Sequence, residues 1–363
     1  HFHGTGEAWK FEDFEGRHGN TEVAFSGDYG RNQAGRLRLL LDFAVTGADL
    51  DRKLQEALPP AAQSVWREFN PEGTLQLTGR AYWRPEEGSS GEFQLAHCSG
   101  ELRDGRLMLN SFPFPLNDVS VQLKYDGQTV YLTRFRAHHD DMQMRFDNGT
   151  ATYSADRRWC VRLEKLFVDD LEATPQFRRA LPPKLAEIVN TLNPRGEQSI
   201  SGMVEFAGKA GSGFPVTAAW DTETIYSGAT VNAGVELRDV RGKAAFSGTW
   251  DGQSATGDGT IRLNSVKIFN KYQLTDVEGP VSLRGSRLIL GTEPPEGRYR
   301  TQDPAPAHRL SARFIEGLIL LDAAVVLGDP MRYRVLLTLK DGSLKRYAQL
   351  YMTGNNRLAG RMN

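Results

Sequence analysis

Residues 58–73 read Leu58-Pro59-Pro60-Ala61-Ala62-Gln63-Ser64-Val65-Trp66-Arg67-Glu68-Phe69-Asn70-Pro71-Glu72-Gly73, and the pattern returns as Leu181-Pro182-Pro183-Lys184-Leu185-Ala186-Glu187-Ile188-Val189-Asn190-Thr191-Leu192-Asn193-Pro194-Arg195-Gly196. Leu181 follows Leu58, Pro194 follows Pro71, Gly196 follows Gly73 and Gly202 follows Gly79, each by 123 positions. Proline is tolerated in the first turn of a helix, where its missing N–H has no intrahelical partner. Ala62, Val65, Trp66 and Phe69, and likewise Leu185, Ile188, Val189 and Leu192, then fall at i, i+3, i+4, i+7. That spacing predicts one apolar stripe on a short helix, at 60–69 and again at 183–192. Asn-Pro-x-Gly stops each helix and turns the chain into a strand.

Around these helices the chain reads as strands. Trp9 and Phe11 alternate with polar residues, Arg17-His18-Gly19-Asn20 turns, and Val23 and Phe25 alternate again. Ala48-Asp49-Leu50-Asp51 supplies a helix N-cap before the first Leu-Pro-Pro. Asp126-Gly127 separates two alternating segments, a strong hairpin signal. With those two residues as the turn, Leu123 faces Val130 and Val121 faces Leu132. Met142, Met144 and Phe146 continue the apolar alternation, while Ser120, Gln122, Lys124, Thr129 and Thr133 fall on the other face. This is the pattern of an antiparallel sheet covered on one side.

The block after Gly202 repeats the plan. Leu274-Thr275-Asp276-Val277 follows Leu116-Asn117-Asp118-Val119 by 158 positions, and the hairpin recurs around Arg284-Gly285 with Val281 facing Leu288, adding Leu283 and Leu290 to the apolar set. A stretch containing Val235 to Val240 is read as one inserted hairpin. Leu358 and Gly360 follow Ile200 and Gly202 by 158 with no third Leu-Pro-Pro before them, so the last repeat is expected to lack the helix. The expected fold is mainly β, a long curved antiparallel sheet of repeated meander units. Its repeats are 1–83, 84–208 and 209–363, with strands pairing from unit to unit. The chain is expected to be an excerpt of a longer molecule.

Composition narrows the function. Lys+Arg 44 against Asp+Glu 45 leaves no electrostatic footprint for nucleic acid. The longest apolar stretch, 314–327, carries Glu316 and Asp322 and is too short to span a bilayer. The first residues show no basic-then-apolar leader, so any membrane anchor is expected outside this chain. Cys98 and Cys160 occupy non-equivalent places in the repeat, and two buried thiols is preferred to a disulfide.

No grouped chemistry emerges, and neither a catalytic residue nor a cofactor is assigned. His138-His139-Asp140-Asp141 is rich in ligand atoms, but adjacent residues on an extended segment point apart, so a solvated turn is the better reading. Gly208 to Gly213 lacks the Gly-Lys-Ser/Thr ending of a phosphate loop and is read as a loop. Asn148-Gly149-Thr150 is read as a turn, and Pro294 to Pro306 as a surface loop.

The ordered set of Leu-x-Asp-Val segments (Leu116 to Val119, Leu237 to Val240, Leu274 to Val277) is combined with the hairpin Arg284 to Leu290 and the glycine return strands Gly73–Gly79 and Gly196–Gly202. Together they resemble the AsmA-like superfamily of bacterial envelope proteins, which includes TamB-like members. The resemblance runs from Trp9 to Gly360. It implies a gutter-shaped sheet and a periplasmic location, with the inner-membrane anchor outside this chain. It also implies carriage of phospholipid acyl chains between inner and outer membranes, with membranes or envelope proteins at the two ends. The lipid-facing residues it implies are Val121, Leu123, Val130, Leu132, Met142, Met144, Phe146, Val281, Leu283, Leu288 and Leu290. On pattern alone, the same face reads first as a core closed by a second sheet, and a non-enzymatic scaffold or assembly factor is the alternative. The resemblance favours the open groove.

Overall fold

A computed structural model describes residues 2–5, 8–31, 35, 37–58, 60–84, 92–154, 156–209, 216–294, 308–328, 330–352 and 358–362. The expected loops at 210–213 and 295–306 lie outside these residues. The chain forms two compact units, His1–Lys165 with Ala207–Phe214, and Leu166–Phe206 with Pro215–Asn363.

The first unit is an antiparallel meander. β1 (Phe2–Thr5), β2 (Ala8–His18), β3 (Thr21–Arg31) and β4 (Leu37–Asp49) pair in order. Two short helices, α1 (Arg52–Ala57) and α2 (Pro60–Phe69), intervene before β5 (Glu72–Arg84), which pairs with β4. β6 (Glu92–Leu107), β7 (Leu116–Tyr125) and β8 (Thr129–His139) follow in order. β8 pairs with both β9 (Met142–Phe146) and β10 (Asn148–Tyr153), and β10 pairs with β11 (Arg158–Asp169).

Two helices, α3 (Pro175–Ala180) and α4 (Pro183–Leu192), precede β12 (Gln198–Lys209). The second unit's meander then runs through β13 (Thr217–Asn232), β14 (Glu236–Trp250), β15 (Ala255–Ile268) and β16 (Tyr272–Arg284). β17 (Arg287–Leu290) and β18 (Leu310–Phe314) both pair with β16 on one side and β19 (Gly317–Val326) on the other. β20 (Arg332–Lys340) completes it against β19. β21 (Gly342–Ser343), α5 (Leu344–Tyr351) and β22 (Arg361–Met362) end the chain. The long hairpin β13–β14 is the inserted pair of strands expected around Val235 to Val240.

The repeat is visible in the helix bounds. α3 and α4 start and end 123 positions after α1 and α2. Asp51 caps α1 by accepting from the Leu54 N–H, and Thr174, 123 positions later, caps α3 by accepting from the Phe177 N–H. On α4, Leu185, Ile188, Val189 and Leu192 are half-buried while Lys184, Glu187 and Asn190 are exposed, as the stripe predicts. A third helix does exist, contrary to the sequence expectation. α5 falls where α4 would recur at an offset of 158, and it is nucleated without proline. Ser343 caps it from the Arg346 N–H, and its Tyr351 ring lies 5.2 Å from Tyr272 and 6.0 Å from Phe314.

The Leu-x-Asp-Val segments are bulges. Asp118, Asp239 and Asp276 all have positive φ, 47°, 50° and 50°, and the strand register shifts at or beside each of them. Aspartate tolerates this left-handed conformation better than most residues. The extra residue reverses the alternation, so Leu and the Val three positions later share one face. Val119, Val240 and Val277 are accordingly 0%, 4% and 5% exposed. Phe11-Glu12-Asp13-Phe14 and Leu132-Thr133-Arg134-Phe135 use the same device, with Asp13 and Arg134 at positive φ. Bulges bend a strand and increase its twist.

The hairpin register differs from the two-residue reading. Tyr125 pairs with Val130 and Leu123 with Leu132; in the second unit Val281 pairs with Leu290 and Leu283 with Leu288. In the first hairpin the Asp126 carboxylate accepts from the Gln128 and Thr129 N–H groups, which extends the turn to four residues. The shift is two positions, so every side chain keeps its face.

The return strand's two glycines serve different ends. Gly73 and Gly196 turn the chain at φ 127° and 88°. Gly79 instead admits a neighbour, since a Cβ there would lie 2.5 Å from the His97 carbonyl oxygen and 2.9 Å from the Phe43 ring.

Candidate functional site

In the first unit one sheet face is apolar across β2 to β11. Cross-strand partners place Phe14, Phe25, Phe43, Leu77, Leu123, Leu132, Met144 and Val161 on it. The opposite face carries Asp42, Arg80, Ser99, Lys124, Arg136 and Arg162. There Arg80 donates two hydrogen bonds to Asp42, at 2.6 and 2.8 Å, and holds its carboxyl below the usual carboxylate range.

Burial is graded along the strands. The bulged ends are closed, with Leu102, Val119, Val121, Phe135, Met142 and Phe146 all buried. α2 and the segment 108–115 lie over this end. Met108 and Asn110 donate backbone N–H groups to the Phe69 and Glu68 carbonyls, and Phe114 packs 4.1 Å from His139. Toward the other end access is mixed, with Cys98 and Trp159 still buried. Leu123, Tyr125, Val130 and Leu132 are half-buried, and Trp9, Phe93 and Leu95 are 48%, 59% and 39% exposed.

The second unit combines both states. Ala229, Val240, Leu263, Val266, Leu274, Val277, Leu310, Ala312 and Ile319 form a buried cluster. Leu283, Leu288 and Leu290 are half-buried beside it, and Trp250 and Ala255 at a far hairpin are buried. Among the described strands, only the pair β21–β22 lies outside these meanders.

The eleven residues expected to face lipid all lie on these apolar faces. Val121, Leu123, Val130, Leu132, Met142, Met144 and Phe146 meet in the first unit, and Val281, Leu283, Leu288 and Leu290 in the second. They differ in access. Val121, Met142, Phe146 and Val281 are 3–8% exposed and serve as core, whereas the other seven keep a solvent-facing side.

The tetrad His138 to Asp141 does not converge. His138 points to the polar face and meets Asp118 at 2.7 Å, while His139 points inward, with Nδ1 2.8 Å from the Pro115 carbonyl oxygen. The expectation of a wholly solvated turn fails at His139, which is 7% exposed because the 108–115 segment folds over it. Among the described residues no group of three or more metal-ligating side chains forms. No helix among them is long and apolar enough to cross a membrane.

Neither cysteine is in a disulfide; Cys98 is buried, as expected, but Cys160 is only half-buried. Cys98 lies on the apolar face, where burial pushes its thiol up from the ordinary range. The thiolate is the reactive form. Iodoacetamide at pH 7.5 is therefore expected to label Cys98 slowly in the folded protein and quickly in urea, as followed by intact mass. Equal rates in the two conditions would place Cys98 outside the folded face.

No protein-family model, curated protein or solved structure matches the chain.

Proposed function

We propose that this chain is a segment of a periplasmic bridge that carries phospholipid acyl chains on its apolar sheet faces between inner and outer membranes. The observation that carries this reading is the row of half-buried apolar side chains at Leu123, Val130 and Leu132, with Leu283, Leu288 and Leu290 in the second unit. Their neighbours Val121 and Val281 are buried, whereas these six stop short of full burial. Burying each methylene is worth about 0.8 kcal/mol, so ten methylenes gain on the order of 8 kcal/mol before ordering costs reduce it. The resemblance to AsmA-like proteins supplies the location, the anchor outside this chain and the membranes or envelope proteins at either end. The reading is non-enzymatic.

A specific observation favours a second reading, a scaffold that binds protein. β20 pairs on one side only among the described strands, and its Tyr333, Val335 and Leu337 are 62%, 49% and 55% exposed. An open apolar edge accepts an added strand.

Mass spectrometry of the chain purified without detergent separates the two. Co-purifying phospholipid at near-stoichiometric amounts is the expected result. A lipid-free protein that also fails to take up a fluorescent fatty acid would leave the scaffold reading alone.

A further inference from the structure

The helix pair α3–α4 encloses an open concavity of about 760 Å³ whose lining includes Arg178, Arg179 and Arg195 and no acidic residue. Among the described residues, none of the three arginines is ion-paired. Their positions are nevertheless fixed. Arg178 donates through Nε to the Ala173 carbonyl at 2.7 Å, and through its terminal nitrogens to Asn190 Oδ1 at 3.3 Å and Asn193 Oδ1 at 2.9 Å. Arg179 donates through Nε to the Pro175 carbonyl at 3.1 Å, and the Arg195 backbone exchanges two hydrogen bonds with Thr230. All of these partners are neutral, so the positive charge is oriented and left uncompensated. Leu181 and Ala186 line the same concavity.

The repeat supplies an internal comparison. The residues 123 positions earlier are Gln55, Glu56 and Glu72, and Glu56 is paired with Arg52 at 2.8 Å. The same helix pair therefore folds with neutral or acidic residues at those positions. The fold does not require the three arginines, and the first copy has none at these positions.

We propose that this concavity binds a phosphate group. Arginine suits a tetrahedral oxyanion because its planar fork donates two parallel hydrogen bonds and stays charged. The apolar wall at Leu181 and Ala186 fits a carbon-bearing phosphate, so the source is either a soluble phosphate or a phospholipid headgroup. The site lies on the helix pair and stands whether or not the sheet face carries acyl chains.

The test uses the full chain in two arms. In the first, inorganic phosphate is titrated at constant ionic strength set with sodium chloride, and binding is read by calorimetry or by arginine side-chain NMR. In the second, the protein is sedimented with vesicles of phosphatidylglycerol, with and without competing inorganic phosphate. Saturable phosphate binding is expected, weakened about tenfold or more in Arg179→Glu/Arg195→Glu, the charges that the first copy carries. Arg262→Gln, on an ion-paired arginine of the sheet, is expected to bind as the wild type does. Vesicle binding that phosphate competes away assigns the site to headgroups; phosphate binding without vesicle binding assigns it to soluble phosphates. Equal responses to phosphate and chloride, or unchanged binding in the double variant, would overturn the proposal. Should the double variant not fold, Arg195→Gln alone decides, since the exposed Arg195 holds Thr230 only through its backbone.

Discussion

Asp322→Ala is expected to lower the stability of the second unit by about 3–5 kcal/mol, the usual cost of leaving a buried charge without its partner. Asp322 sits on β19 and is 0% exposed. Its Oδ2 lies 2.6 Å from Arg309 Nε, off the line of a hydrogen bond, so that contact is ionic in character. Its Oδ1 accepts from the Thr292 N–H at 2.9 Å and hydroxyl at 3.0 Å. Arg309 in turn donates to the Thr338 hydroxyl and to the Leu320 and Leu336 carbonyls. The pair thus ties residue 292 and Arg309, which flank the 295–307 segment, to β19 and β20. Alanine would strand the Arg309 guanidinium, whose side chain is 5% exposed. At roughly 2–4 °C per kcal/mol for a unit of this size, the melting temperature should fall by about 6–20 °C. Asp322→Leu with Arg309→Met should recover most of that loss, because a buried pair replaced by apolar groups is often neutral or stabilising. A single Asp322→Ala that melts like the wild type would mean that Arg309 reaches water.

How much of this was legible depends on whether the signal was local. The Leu-Pro-Pro helices were readable to the residue because proline, an apolar stripe and a stop coincide within 16 positions. The alternation that sets the apolar face was equally local, and it survived a wrong hairpin register because the error was two positions. The turn itself was misread, since Asp126 can form a four-residue turn with its own side chain as well as a two-residue one. α5 lacks the proline marker of the other repeat helices and starts instead from an ordinary Ser343 cap. Leu-x-Asp-Val was recognised as a recurring string, but its meaning, a bulge that returns Leu and Val to one face, required backbone angles. Asp322 was read only as a charge that excludes a membrane span. Its partner Arg309 is 13 positions away and just outside β18, and nothing in the spacing links them. The arginine concavity was invisible for the same reason, although comparing the two repeats residue by residue would have exposed the exchange of Gln55, Glu56 and Glu72 for three arginines.

The acyl-carrier reading meets its sharpest test at Leu123→Asp, which is expected to abolish most lipid occupancy while the protein stays folded. Leu123 is half-buried on the apolar face of β7, opposite Leu132. A carboxylate there must be hydrated, and its water would displace neighbouring methylenes of a bound chain. Losing contact with even three methylenes removes about 2.4 kcal/mol, roughly a fifty-fold drop in affinity. The folding cost is smaller than at a closed position, because the new charge can turn to the solvent side. We expect about 1–3 kcal/mol. Leu288→Asp should behave alike in the second unit, where Leu288 is half-buried opposite Leu283. Two comparisons make the result interpretable. Lys124→Asp lies on the exposed polar face and should change neither lipid content nor melting. Val119→Asp lies on the same apolar face but at 0% exposure, and should unfold its unit outright. The contrast between Val119 and Leu123, four positions apart on one strand and one face, separates core from carrier surface. If Leu123→Asp leaves lipid content and melting both unchanged, that side chain faces neither. If it destabilises the chain as severely as Val119→Asp while the wild type holds no lipid, the face is a closed core and the scaffold reading stands in its place.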